Sequence, residues 1–156
     1  MNQKPTPTLF QKLKLPKRVW VLAALYWLAS LGHSAHNAEF LVFYPNLPQE
    51  ITRETVYLGW ALMTAIGLVA GAFSVLGLGV LAGLCLGFYG ALGTGVLAYY
   101  AQAHWSEYTL GANMTIWAQA LLGAAVATAA LTVAIRAVVR GPRRHRSLAA
   151  RQHSSR

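Results

Sequence analysis

Charge is almost absent from the middle of this chain. Between Val19 and Ile135 the only Lys, Arg, Asp or Glu residues are Glu39, Glu50, Arg53, Glu54 and Glu107, and they fall near the ends of four long apolar stretches or between them. The stretches run from Val19 to Tyr44, Thr55 to Val75, Gly79 to Gln102 and Asn113 to Ile135 (19–44, 55–75, 79–102 and 113–135). Each has the roughly 20 residues that a helix needs to cross the hydrocarbon of a bilayer. The expected fold is therefore all-α, a polytopic membrane four-helix bundle. Residues 1–18 form a basic tail, 19–135 the four-helix domain, and 136–156 a second basic tail expected to be disordered after Gly141-Pro142.

Composition agrees. The chain is 56% hydrophobic and 11% charged, whereas a soluble domain of this size carries about 25% charged residues. The first stretch would make about 39 Å of helix, so its last turns should emerge into the interface before Pro45 and Pro48 end it. It is too long for a signal-peptide core and lacks an A-x-A cleavage site, which favours a retained anchor.

The net charge of +9 comes from 13 Lys and Arg against 4 acids, and its placement gives it meaning. Lys4, Lys12, Lys14, Lys17 and Arg18 precede the first span, and Arg136, Arg140, Arg143, Arg144, Arg146, Arg151 and Arg156 follow the last. Four spans put both tails on one side, which the positive-inside rule makes cytoplasmic. All four acids and most aromatics then lie outside. Cations gathered at membrane-flanking ends contact anionic lipid, so nucleic acid is not an expected partner.

Small residues recur every four positions in the third stretch, at Gly79, Gly83, Gly87, Ala91 and Gly95. Such a stripe lets another helix backbone approach closely where no hydrophobic effect drives helices together. Gly67 and Gly71, and Ala120, Gly123, Ala124 and Ala127, offer matching surfaces on the second and fourth stretches. A compact bundle is the expected use, with a second copy or another membrane protein as the other occupant. The single Cys85 excludes a disulfide framework and reads as a small buried hydrophobe. P-loop, GxSxG and HExxH patterns are missing, so common nucleotide and hydrolase mechanisms have no support. Asn113-Met114-Thr115 matches a glycosylation sequon but adjoins the fourth span and reads as incidental.

The residues that suggest chemistry lie at the outer ends of the first and third stretches. Ala35-His36-Asn37-Ala38-Glu39-Phe40 and Ala103-His104-Trp105-Ser106-Glu107-Tyr108 share the pattern A-H-x-x-E-aromatic, which suggests two parallel helical hairpins. In a helix, residues three apart face the same way, so each carboxylate could fix the tautomer of its histidine and leave the other ring nitrogen free for a metal or a proton. His33, on the same helix face as His36 and Asn37, lies about 21 Å into the first span, where an ionisable group is a functional candidate. Candidate ligand- or metal-binding residues are thus His33, His36, Glu39, His104 and Glu107. Together they would suit Zn, Cu(II) or Fe, although His104 counts out about 12 Å beyond His36 in depth. The same residues could instead anchor helix ends in the interface, or end a pocket for a lipid-like ligand.

At His36 to Phe40 the sequence resembles the small bacterial membrane proteins that carry a helix-borne HxxEE motif, the HXXEE domain. His36 and Glu39 match the first and fourth positions, and Phe40 stands in place of the second Glu. The resemblance implies a bacterial inner-membrane location and no particular activity. The expectation is a binding or accessory protein with a polar His, Glu and aromatic cap on the extracytoplasmic side. The alternative is a metal-dependent enzyme acting on a lipid-like substrate at the outer leaflet.

Overall fold

The computed structural model describes the backbone of residues 15–153 and the side chains of residues 15–139. Most of the N-terminal tail and the outer part of the C-terminal one therefore lie outside the described residues. Every regular element among the described residues is helical. Helix α1 spans Lys17–Glu39 and is followed by a 3₁₀ turn, Leu41–Phe43. Helix α2 spans Arg53–Val75 and α3 Gly79–Leu92. A 3₁₀ segment, Gly93–Ala98, joins α3 to the short α4, Tyr99–Gln102, and a 3₁₀ turn at Trp105–Glu107 leads to α5, Leu110–His153.

Local chemistry sets these limits. Pro16 supplies a fixed extended entry to α1. Thr52 and Thr55 cap α2 reciprocally, each hydroxyl accepting the other's backbone N–H. Between α2 and α3 the chain reverses through Gly77 at φ 78°, a left-handed conformation for which glycine has no steric penalty. Asn46 Nδ2 donates to the Gln102 carbonyl at 2.8 Å, which satisfies an acceptor left open at the end of α4.

Among the described residues three helical stretches are long and apolar enough to cross a membrane: Arg53–Val75, Gly79–Gln102 and Leu110–Val139. Helix α1 is as long as α2 but falls outside this group. Its last third carries Ser30, His33, Ser34, His36 and Asn37, which lower its mean hydropathy. The first span was expected to continue to Tyr44, but regular helix ends at Glu39. The fourth was expected at 113–135, whereas α5 begins at Leu110 and runs without a break past Gly141-Pro142 to His153.

Helix α5 is the centre of the assembly, packing along α3, the 3₁₀ segment and α1, while α2 lies against α3 and α1. The contacts between α3 and α5 are close because side chains are missing there. A Cβ on Gly83 would meet Ala134 at 3.0 Å, and one on Gly90 would sit 2.6 Å from both Ala127 N and the Gly123 carbonyl. The fully buried Tyr26 of α1 wedges against this crossing, donating its hydroxyl to the Tyr89 carbonyl at 3.2 Å. A Cβ on Gly93 would lie 2.5 Å from the Tyr26 ring.

The four-residue stripe is followed only partway. Gly79, Gly83 and Gly87 are buried, whereas Ala91 and Gly95 are exposed and Gly90 and Gly93 take over the contact. Steps of four residues rotate about 40° further than a helix turn each time, so after three steps the stripe has wound off the interface.

Candidate functional site

Near the outer ends of the apolar stretches, α1, the loop after it, α4 and the start of α5 bring a polar and aromatic group together. His33 and Asn37 are each only 3% exposed. Their spacing places them on the α1 face that packs on α5, and α5 supplies Thr115 opposite. His33 Nδ1 lies 3.2 Å from Thr115 Oγ1. The Thr115 hydroxyl already donates to the Ala112 carbonyl at 2.9 Å, so it accepts from His33, which assigns the ring proton to Nδ1. Asn37 Nδ2 donates to the Tyr99 hydroxyl.

His36 Nδ1 lies 3.0 Å from the Tyr44 hydroxyl. Room for the His36 ring comes from Gly111, since a Cβ there would stand 3.0 Å from Nε2. Tyr44, Tyr99, Tyr100 and Tyr108 meet edge to face or tilted around these histidines, with ring centroids 5.3 to 6.4 Å apart. Burial pushes the Tyr44 hydroxyl up to about 12 and raises that of Tyr108. Both therefore remain neutral phenols that can donate a hydrogen bond. Tyr108 donates to the Tyr99 carbonyl at 2.6 Å and Tyr100 to Asn113 Oδ1 at 2.7 Å. Asn113 in turn donates to the carbonyls of Trp105 and Tyr108 at 3.0 and 3.2 Å.

The two A-H-x-x-E motifs adopt different structures. His36 sits in the last turn of α1, whereas His104 is an extended residue capping a 3₁₀ turn. In neither does the carboxylate reach the imidazole. Glu39 accepts from Arg53 at 2.8 Å and from Tyr57 at 2.9 Å, the guanidinium being a strong, charge-assisted partner for a carboxylate. Glu107 accepts from the backbone N–H of His104 at 2.9 Å, and the His104 ring is paired with Ser106 at 2.8 Å. Among the described residues no three His, Cys, Asp or Glu side chains converge as metal ligands. The expected set of His33, His36, Glu39, His104 and Glu107 does not form one Zn, Cu or Fe site.

No protein-family model, curated protein or solved structure matches the chain.

His104 has a different setting. It lines an open cavity of about 490 Å³ together with Tyr100, Trp105, Leu110, Asn113 and Trp117. Its aromatic walls and single imidazole suit a ligand at the membrane interface. Sequence reasoning placed Asn113 and Thr115 only in a sequon and Tyr99 only among the outer aromatics, and gave none of them a partner. Their signal was position: polar residues within or beside an apolar span. Thr115 donates away from His33 rather than toward it, so that pair does not activate a nucleophile. The high pKa of Tyr44 opposes proton loss to His36.

Proposed function

We propose that this is an integral protein of a bacterial inner membrane that crosses four times, keeps both ends in the cytoplasm and acts by binding through its outer cap. The observation that carries this reading is the inward burial of the polar third of α1. Ser30, His33, Ser34 and Asn37 face the neighbouring helices, while Val21, Leu25 and Leu28 face outward. The polar groups that lower the hydropathy of α1 are thus withheld from lipid, and α1 suits a fourth span. Helix α1 also runs antiparallel to α5, from Arg18 beside Arg136 to His33 beside Thr115. Those two arginines border one groove at the end opposite the cap, which fits a cytoplasmic, anionic leaflet. The four helices around this interior support a bundle.

Reporter fusions test the topology. A periplasm-dependent phosphatase joined after Gln49 or Ser106 should be active, and one joined after Leu76 inactive. An inactive Gln49 fusion beside an active Leu76 fusion would remove α1 from the membrane. Binding, as opposed to catalysis, predicts unchanged membrane lipids in a strain lacking the protein. It also predicts a small molecule or membrane-protein partner that co-purifies with the wild type and is lost from Trp117→Ala.

A further inference from the structure

Where the first turns of α1 lie against α5, an open groove of about 590 Å³ carries Arg18 and Arg136 at one end. Both arginines are exposed. The rest of the lining is apolar at Val19, Leu22, Ala129 and Val133, with Thr128 and Thr132 on the α5 side. That side extends from Ala124 to Arg136, about 18 Å of helix. Half of a bilayer's hydrocarbon core is about 15 Å, so the groove has the depth of one leaflet. No carboxylate answers the two arginines. The only acidic side chains in the sequence are Glu39, Glu50, Glu54 and Glu107, and all four stand at the outer end. The one ion pair among the described residues joins Arg53 to Glu39 there. A guanidinium carries paired N–H donors that match two oxygens of a phosphate.

We propose that this groove binds one anionic phospholipid of the cytoplasmic leaflet, its phosphate held between Arg18 and Arg136 and one acyl chain lying along α5 toward Ala124. Charge complementarity selects the headgroup. The arginines supply the counter-charge of a phosphodiester, and with every acidic side chain at the other end a choline or ethanolamine ammonium finds no partner. A lipid of net negative charge is therefore preferred over a zwitterionic one. A free phosphate would engage the arginines but none of the apolar wall below them, which is what a chain covers. Ala124, Ala125 and Thr128 are exposed, so the chain enters sideways from the bilayer and the second chain stays in it. The inference rests on the reading that α1 and α5 cross the membrane with this end cytoplasmic.

The test uses the full-length protein in phosphatidylcholine nanodiscs that carry a trace of photoactivatable lipid. The probe has a diazirine near the end of one acyl chain and either a phosphatidylglycerol or a phosphatidylcholine headgroup. After photolysis, label on the peptides containing Leu22 and Ala124 to Thr128 should favour the phosphatidylglycerol probe by roughly thirtyfold, the factor that two arginines near an anionic headgroup supply. Arg18→Gln combined with Arg136→Gln should bring the two probes level. Lys4→Gln combined with Arg156→Gln removes the same charge from the tails and should leave most of the preference. Ala125→Trp, at an exposed position of the wall, should block the chain and lower the label without changing any charge. Equal labelling by the two probes, a preference lost as fully from the tail variant, or label unaffected by Ala125→Trp would overturn the proposal. Displacement of the label by excess glycerol phosphate would overturn it too, assigning the arginines to a free phosphate. A failed phosphatase pattern would instead refute the membrane reading beneath it, whereas any of those results in a correctly inserted protein would refute this inference alone.

Discussion

Replacing Gly90 by alanine tests whether α3 and α5 are held by direct backbone contact. The new methyl would lie 2.6 Å from both Ala127 N and the Gly123 carbonyl, where ordinary van der Waals contact begins at 3.4 Å. Neither atom belongs to a side chain that can rotate away, so the two helices must separate by about 0.8 Å along their crossing. Overpacking of this kind costs about 1–3 kcal/mol, against which alanine regains about 0.5–1 kcal/mol of helix preference over glycine. The expected net loss is about 1 kcal/mol or more. Gly71→Ala meets nothing within 4 Å and should show the helix gain alone. The two variants should then differ by about 2 kcal/mol, a factor of roughly 30 in the unfolding equilibrium. Gly87→Ala should fall between them, because the obstruction there is the movable Leu131 side chain. Reversible unfolding in mixed detergent micelles, followed by circular dichroism, measures all three. If Gly90→Ala is as stable as Gly71→Ala, the close crossing does not exist.

Asn37→Ala should cost about 1–3 kcal/mol in the same assay, because it leaves the Tyr99 hydroxyl without its buried donor; a loss below a few tenths would refute the role given to that bond. The pair of Arg53 and Glu39, 60% and 42% exposed, should show a coupling energy below about 1 kcal/mol in a double-mutant cycle. A larger coupling would mean that lipid or a partner shields the pair.

The helices were the readable part of this sequence because bilayer thickness imposes their length and the scarcity of charge marks their ends. The rod from Gly79 to Gln102 coincides with one uninterrupted apolar run. The outer cap was readable in half. His33 and Asn37 announced themselves as polar residues within an apolar helix, but spacing along one helix cannot say what stands opposite. Thr115, Tyr44 and Tyr99 lie 82, 8 and 62 residues from their partners His33, His36 and Asn37. The paired A-H-x-x-E motifs misled for a related reason: the i, i+3 rule holds only on a helix, and His104 is not on one. The competing claim of Arg53 on Glu39 depends on the loop between α1 and α2, whose path no local pattern reveals.

The 3₁₀ segment Gly93–Ala98 acts as a phase shifter. Three residues per turn over six residues makes two full turns, where an α-helix would fall roughly 120° short of that rotation. Everything beyond Ala98 is therefore turned by a third of a revolution relative to an unbroken helix, which brings Tyr99 round to Asn37 and Tyr44. The segment is also drawn out by about 3 Å compared with α-helix of the same length. A sequence change that restored α-helical winding here would leave every cap residue in place in the chain and still dismantle the cap. Fidelity of this site thus depends on winding in the third apolar stretch, at residues that never touch the histidines.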